Sequence, residues 1–163
     1  MSKTIRDEIK KGRKMIQNGD GEGSTRFFKN LVNKHPDSAE INLFAGMTND
    51  NLGQEKKAIP LYEKAIDLGL NDKKELRDCL VSLASSYLIE GDHENSLKAI
   101  EKAKAKFPND PVVSSFLALT LCELNQAEKA VKELGIALLK ESGNPDFKKF
   151  EKPLREYFSE LDV

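Results

Sequence analysis

The sequence predicts an all-α fold of about four helix pairs followed by a C-terminal capping helix. Two observations support this prediction. Apolar residues recur every three or four positions through most of the 163 residues, as at Leu76, Leu80, Leu83 and Tyr87. The same helix-turn-helix pattern also occurs four times in succession. Its turns lie at residues 18–20, 52–54, 90–92 and 124–126.

Small residues mark the places where the two helices of each pair cross. The eighth place of the four copies holds Gly12, Gly46, Ala84 and Ala118, and the twentieth holds Ser24, Ala58, Ser96 and Ala130. The twenty-fourth place holds the large residues Phe28, Tyr62, Ile100 and Leu134. Small residues allow close approach and the large one fills the remaining space, so we expect tight antiparallel pairs. The copies begin 34, 38 and 34 residues apart.

Capping residues and turns set the predicted helix boundaries. The predicted helices are 3–18, 22–34, 38–52, 55–68, 72–90, 93–106, 111–124 and 127–141. Ser38, Asp72 and Asp110 supply side-chain oxygens for exposed N–H groups at three helix starts. The four extra residues 73–76 are expected to lengthen the fifth helix by about one turn. Pro60 lies inside the fourth helix and removes one backbone hydrogen bond there.

A ninth helix is predicted at about residues 145–160. Terminal units of a repeat protein must cover an exposed interface, and this helix is expected to act as the cap. Its apolar residues exceed what one side of a short cap can bury, so they also form a candidate homodimer surface. These residues are Phe147, Phe150, Leu154, Tyr157, Phe158 and Leu161.

The repeated motif is similar to a known one. Leu80-x-x-Leu83-Ala84-x-x-Tyr87, followed by Ser96, Ile100, Ala103 and Pro108, resembles the tetratricopeptide repeat, a helix-turn-helix unit of about 34 residues. Segments 58–65 and 116–119 are similar to a small bacterial group called the group 5 tetratricopeptide family.

This resemblance covers most of the chain. It implies a right-handed superhelical solenoid in one domain, residues 1–163, with repeats at about 5–38, 39–76, 77–110 and 111–144. It also implies a protein-interaction role, no known catalytic residues, and a homodimer as one option. Lys11 departs from the pattern, because a large apolar residue is usual at its place.

The resemblance further implies which residues line a concave groove, because the first helix of each pair faces inward in this family. The implied surface runs from basic through acidic to apolar along the chain. It consists of Arg6, Ile9, Arg13 and Ile16, then Glu40, Leu43, Met47 and Asp50, then Asp78, Val81, Ser85 and Leu88, then Val112, Ser115, Leu119 and Cys122.

Composition and charge restrict the class of function. The 26 basic and 27 acidic residues give a net charge of −1, which argues against a generally basic nucleic-acid binder. The first 36 residues nevertheless carry +5 and the rest −6. A nucleic-acid contact through the basic first helix is therefore retained as the alternative hypothesis. No signal core and no membrane span are recognisable, which predicts a cytoplasmic protein without a membrane contact.

No constellation of residues predicts catalysis, a metal or a cofactor. The segment 18–24 has some features of a calcium loop, but Lys29 stands where the bidentate Glu belongs, and a glycine turn is favoured. His35 and His93 are expected at the surface, without a positioned partner. Cys79 and Cys122 are expected to be reduced, buried thiols. We therefore predict that the protein is not an enzyme.

Helix 111–124 is apolar nearly all round and is expected to be buried on more than one face. Its groove-facing residues, Val112, Leu119 and Cys122, need a cover. The last helix, a second subunit and a partner peptide all remain open as that cover. The favoured hypothesis is a non-enzymatic adaptor that holds a peptide or protein segment in its groove.

Overall fold

In a computed structural model, the structure describes residues 3–143 and 145–161, and every element in these two ranges is an α-helix. The helices are α1 (Lys3–Gln17), α2 (Gly21–Lys34), α3 (Ala39–Asp50), α4 (Glu55–Leu68), α5 (Lys73–Ile89), α6 (His93–Lys106), α7 (Pro111–Glu123), α8 (Ala127–Glu141), α9 (Pro145–Lys149) and α10 (Glu151–Glu160). The first eight agree with the predicted helices to within two residues at each end.

The chain forms two compact units. Unit 1 is Met1–Glu90 and contains α1 to α5, whereas unit 2 is Gly91–Val163 and contains α6 to α10. Within unit 1, α3 packs against α2 and α4, and α4 also packs against α5. Within unit 2, α7 packs against α6 and α8. A single repeat domain over residues 1–163 stays a prediction.

Side-chain caps start the helices as the sequence predicts. Asp72 accepts hydrogen bonds from the N–H groups of Lys74 and Glu75, and α5 begins one residue later. The extra residues 73–76 therefore lengthen this helix, as predicted. Ser38 and Asp110 cap α3 and α7 in the same way.

The turn inside each pair needs a residue with positive φ at its centre. Gly19, Gly53 and Gly91 have φ of 84°, 66° and 75° in the first three turns. Asn125 takes the same place in the fourth turn with φ of 59°. Asparagine is among the few other residues that adopt this conformation readily. The glycine-rich segment 18–24 therefore contains the predicted turn, and Asp20 caps α2 by accepting the N–H of Gly23.

Glycines at the helix crossings confirm the predicted close approach in unit 1. A Cβ atom added to Gly12 would lie 2.5 Å from the ring of Phe28, and one added to Gly46 would lie 2.7 Å from the ring of Tyr62. Phe28 and Tyr62 are both buried. The ring of each large residue thus occupies the space that the glycine leaves.

The core of unit 1 joins helices from successive pairs. Ile9, Phe28, Leu31, Ile41 and Ala45 form one buried cluster. Lys11 stands where an apolar residue is usual, but it still packs against the first pair. Its ammonium group lies 5.3 Å from the centre of the Phe27 ring, a distance suitable for a cation–π contact. The first pair therefore packs despite this departure from the repeat pattern.

The crossing in the fourth pair differs from the prediction. Leu134, predicted to fill the space between the helices, is 46% exposed. The neighbouring Gly135 is buried instead, and a Cβ atom there would lie 2.5 Å from the ring of Phe158 on α10. The last helix therefore packs on α8 at Gly135, while the adjacent Leu134 is left exposed.

The predicted ninth helix is also interrupted. Its two parts, α9 and α10, are separated at Phe150. Pro153 explains the break, because proline lacks the N–H group that would bond to the carbonyl of Lys149 and its ring crowds that carbonyl. By contrast, Pro60 lies within α4 without ending it.

Candidate functional site

The first helices of the two pairs in unit 1 form a shallow hollow of about 210 Å³. It contains three residues of the predicted groove: Arg13, Ile16 and Met47. The lining is Arg13, Ile16, Gln17, Phe44, Met47, Thr48 and Asn51. The guanidinium carbon of Arg13 lies 5.1 Å from the centre of the Phe44 ring, which is suitable for a cation–π contact. We call this site the α1–α3 hollow.

Three residues predicted to line the groove are buried instead. Ile9, Leu43 and Val81 are only 5%, 0% and 8% exposed. All three occupy the fifth place of their repeat, and this place packs against neighbouring helices in the first three copies. Their assignment to the partner-binding surface is therefore corrected to a role in the core.

Asp50 joins two pairs rather than facing solvent freely. Its carboxylate accepts hydrogen bonds from the hydroxyl groups of Tyr62, at 3.1 Å, and Ser86, at 3.0 Å. Burial raises the pKa of Asp50, and these two hydrogen bonds oppose the rise. Asp50 thus fixes the relative positions of α3, α4 and α5.

An acidic region lies within electrostatic reach of the hollow. Burial raises the pKa of Glu75, and the charges of Asp72, Glu40 and Asp78 add to the rise. The charge of Arg13 lowers it. The charges of Arg13 on α1, Glu40 on α3 and Asp78 on α5 therefore all act on Glu75. Arg6 is exposed, while Ser85 and Leu88 are half-buried.

In unit 2, one face of α7 is exposed and largely apolar. Val112 is 43% exposed, Leu119 is 53% exposed, and Cys122 and Ser115 are exposed as well. We call Val112, Leu119 and Cys122 the α7 stripe. The last helix packs on α8, so it does not provide the cover that was one of the three hypotheses.

The two cysteines differ, although both were expected to be buried. Cys79 is fully buried, and burial raises its pKa to about 12. The expectation is wrong for Cys122, which is exposed because it lies on the uncovered face of α7.

A second apolar surface in unit 2 was missed by the sequence analysis. Val131, Leu134 and Leu138 are 51%, 46% and 52% exposed and follow one another at helical spacing on α8. We call them the α8 stripe. The spacing is visible in the sequence, but the repeat register assigns Leu134 to the helix crossing. In the structure Leu134 is exposed instead.

The predicted dimer residues divide into two groups. Phe150 and Tyr157 are 62% and 68% exposed. Leu154, Phe158 and Leu161 are half-buried. The side chain of Phe147 lies outside the described residues.

Candidate chemical groups are few in the described ranges. His93 Nε2 lies 3.9 Å from a carboxylate oxygen of Glu123, an acidic neighbour that the sequence analysis did not identify. His35 ends α2 as its C-cap. No group of three or more His, Cys, Asp or Glu side chains that could hold a metal occurs among the residues described. No helix there is long and apolar enough to cross a membrane.

The pairs of antiparallel helices, with glycine or asparagine turns and small residues at the crossings, define a helical-repeat protein. The family model for the tetratrico peptide repeat, TPR_5, matches residues 40–161. The chain therefore belongs to the tetratricopeptide-repeat family, as its motifs indicated. This fold supports a protein-interaction module in general. Comparison with curated protein sequences finds no significant match.

Solved structures with the same fold have low sequence identity. MamA residues 41-end from Desulfovibrio magneticus RS-1 has a TM-score of 0.68 at 17% identity, over 99% of this chain and 97% of that one. PilF of Pseudomonas aeruginosa has a TM-score of 0.68 at 16% identity, over 96% and 73%. TPR-like repeats of a Podosopora anserina kinesin light chain give 0.69 at 15%, over 97% and 91%. These likenesses show the fold.

Proposed function

We propose that this protein is a non-enzymatic adaptor that binds a peptide or protein segment on first helices of its pairs, at the α1–α3 hollow of unit 1. The α1–α3 hollow carries the proposal, because it brings together Arg13, Ile16 and Met47 from two successive repeats. A hollow of this kind holds one apolar side chain of a partner, and the adjacent charges orient the rest of its chain.

The charge pattern around the hollow favours one orientation of a bound peptide. Arg13 attracts an acidic partner residue, while Glu40 and Glu75 attract basic ones; Asp78 is already paired with Arg77. A partner segment with an apolar anchor between an acidic and a basic end satisfies both. In unit 2 the α7 stripe offers an apolar surface on the corresponding first helix.

A panned peptide library tests this proposal. Peptides selected on the full chain are titrated by fluorescence anisotropy against the parent and Met47→Glu. A buried charge in the hollow should weaken binding about tenfold or more. Arg13→Ala, an exposed change, should weaken it severalfold. Ala105→Glu adds the same charge at an exposed position of α6 and should leave affinity within about twofold of the parent.

The result that overturns the proposal is equally specific. Selected peptides whose affinity is unchanged by both Met47→Glu and Arg13→Ala would place binding elsewhere, and a library without any binder would also reject it. Circular dichroism checks that each variant remains helical.

We further propose that a second copy of this chain covers the exposed apolar surface that α8 and α10 form in unit 2. Among the described residues, five of the ten exposed large apolar side chains belong to this part of unit 2, namely the α8 stripe, Phe150 and Tyr157. Such a concentration is typical of an interface. A two-fold homodimer covers it with the same surface of the other copy, so one patch is sufficient.

Location and nucleic-acid binding were considered from the sequence alone. A cytoplasmic location stays a prediction. The nucleic-acid hypothesis receives no support from the comparisons, so the basic first helix is not proposed as a nucleic-acid site.

A further inference from the structure

A second groove of unit 1 lies between the second helices of its two pairs, α2 and α4, with α3 at its base. Its volume is about 640 Å³, within the range of about 300–1,000 Å³ typical of ligand sites. We call it the basic groove. Its lining is Thr25, Arg26, Lys29, Val32, Asn33, Ala45, Asn49, Lys56, Lys57, Pro60 and Leu61. No residue of the α1–α3 hollow belongs to it.

The groove combines an apolar surface with positive charge. Val32, Ala45, Pro60 and Leu61 supply aliphatic groups. Four of the eleven lining residues are basic and none is acidic, although the whole chain carries −1. A local excess of positive charge of this size attracts negatively charged groups and disfavours positively charged ones.

The basic side chains of the groove make few and weak interactions with the rest of the protein. Arg26 lies 3.6 Å from Glu22, with both side chains largely exposed, and Lys56 lies 3.4 Å from Glu90, with the Lys56 side chain largely exposed. Exposed pairs of this kind contribute little and exchange easily. In the part of the chain that the structure describes, the Lys29 side chain makes no hydrogen bond or ion pair, and Lys57 donates one exposed hydrogen bond to Gln54 at 3.0 Å. These side chains are therefore available to a ligand.

Pro60 adds a feature that helix stability does not explain. Inside α4 it removes the hydrogen bond to the Lys56 carbonyl and disfavours the helix relative to alanine. Its ring is exposed at the groove, where it presents a rigid apolar surface. An apolar partner side chain has a contact surface there that loses no side-chain entropy on binding.

We propose that the basic groove binds an acidic peptide segment of another protein, with aliphatic side chains on the groove floor and carboxylates beside Arg26, Lys29, Lys56 and Lys57. The lining favours this occupant over two others. A single-stranded nucleic acid binds through stacking on aromatic side chains, and the lining contains none. A small anion alone uses the cations but leaves the apolar floor uncovered.

The test uses defined peptides and the full chain. The probe is a short acetylated peptide in which every third residue is Leu and the others are Glu. One control replaces Glu by Lys, and another replaces Leu by Ser. Binding is followed by two-dimensional ¹H–¹⁵N NMR, which detects weak complexes. We expect the Glu/Leu peptide to shift amide signals of residues 25–33 and 56–61, the Lys/Leu peptide to have no effect there, and the Glu/Ser peptide to bind severalfold more weakly.

Matched variants locate the site. Lys29→Glu with Lys57→Glu should weaken the Glu/Leu peptide about tenfold or more, because attraction becomes repulsion. Lys29→Gln with Lys57→Gln should give an intermediate loss without adding repulsion. Lys10→Glu with Lys102→Glu changes the net charge equally at two exposed positions outside the groove, and should change affinity less than about twofold.

Several outcomes would overturn the proposal. The first is a loss of affinity in the Lys10/Lys102 variant equal to that in the Lys29/Lys57 variant. The second is the absence of amide shifts at millimolar peptide. The third is that oligothymidylate or inorganic phosphate shifts the groove signals as much as the Glu/Leu peptide does. Met47→Glu should leave this binding unchanged. The proposal for the α1–α3 hollow and the proposal for the basic groove can therefore be rejected independently of each other.

Discussion

At the scale of single residues, the fold depends on glycines that leave room for an aromatic ring at the helix crossings. Gly12 and Gly46 face Phe28 and Tyr62 across the helix crossings, and each ring occupies the space where a methyl group would lie. These glycines lie inside helices, where glycine is less favourable than alanine. Close packing therefore outweighs helix propensity at both positions.

Gly46→Ala should consequently destabilise the protein, although alanine is the better helix former. The added methyl group meets the Tyr62 ring at 2.7 Å, and overpacking of this kind costs about 1–3 kcal/mol. Urea denaturation measures the free energy of unfolding. Gly143→Ala is the matched control, because a Cβ atom there has no neighbour within 4 Å. Equal stability of the two variants would contradict the assigned crossing.

Asp50 should make stability depend on pH. Its pKa is raised in the folded state, so the folded state binds the proton more tightly than the unfolded chain does. Its contribution is fully present below the ordinary value of 3.8 and is lost as pH rises through the raised folded-state value.

Asp50→Asn removes this titration. We expect the unfolding free energy of the parent, minus that of the variant, to fall as pH rises above about 4 and then to level off. Chemical denaturation at a series of pH values measures this difference. A difference that stays constant or rises over the same interval would show that the folded-state pKa is not raised.

At the scale of helices, local signals in the sequence were sufficient for most boundaries. Caps such as Asp72 and Asp110 and the turn glycines act through neighbouring backbone groups, so their effects are readable without tertiary structure. The break at Phe150 also had a local signal, Pro153, which the apolar spacing of the segment obscured. The exposure of Leu134 had no local signal, because the repeat register places this residue at the helix crossing.

The starts of the second helices differ in capping. Asp20 and Asp92 cap α2 and α6 by accepting an N–H bond from the third residue of the helix. The hydrogen bonds from Asn95 lower the pKa of Asp92 accordingly. Gln54 and Gln126 occupy the same place without a side-chain cap bond.

Gln126→Asp should therefore stabilise unit 2. The φ and ψ of Gln126, −105° and 53°, resemble those of Asp92, −90° and 70°, so the shorter carboxylate should reach the Lys129 N–H group. The expected gain is about 0.5–1 kcal/mol in thermal or urea unfolding. Gln126→Ala cannot form this bond and serves as the control. A gain of the same size in both variants would exclude capping as its cause.

At the scale of the whole molecule, the class of fold followed from the sequence, whereas the surfaces did so only in part. The repeat pattern places Arg13, Met47 and Leu43 on one predicted groove surface. In the structure Arg13 and Met47 line the hollow, whereas Leu43 is buried. A repeat pattern gives the order of residues along a helix, and small rotations decide which of them reach solvent. The basic groove was missed because its lysines look like an ordinary solvated face.

The homodimer proposal is tested by sedimentation equilibrium. We expect a mass near twice 18.2 kDa for the parent. Leu138→Glu with Tyr157→Glu should return the monomer mass, because both side chains are exposed in one chain and a buried charge opposes association. Leu68→Glu with Ile89→Glu adds the same charge at exposed apolar positions of unit 1 and should leave the dimer intact. A monomer mass for the parent rejects the proposal.

The contrast between the two cysteines makes the native protein suitable for site-specific labelling. Cys79 is buried and its raised pKa keeps it protonated at neutral pH, whereas Cys122 is exposed on the α7 stripe. A maleimide dye should therefore react with one equivalent of thiol in the folded chain and with a second only after denaturation, as mass spectrometry would show. A fluorophore attached in this way reports on α7 without any substitution in the sequence.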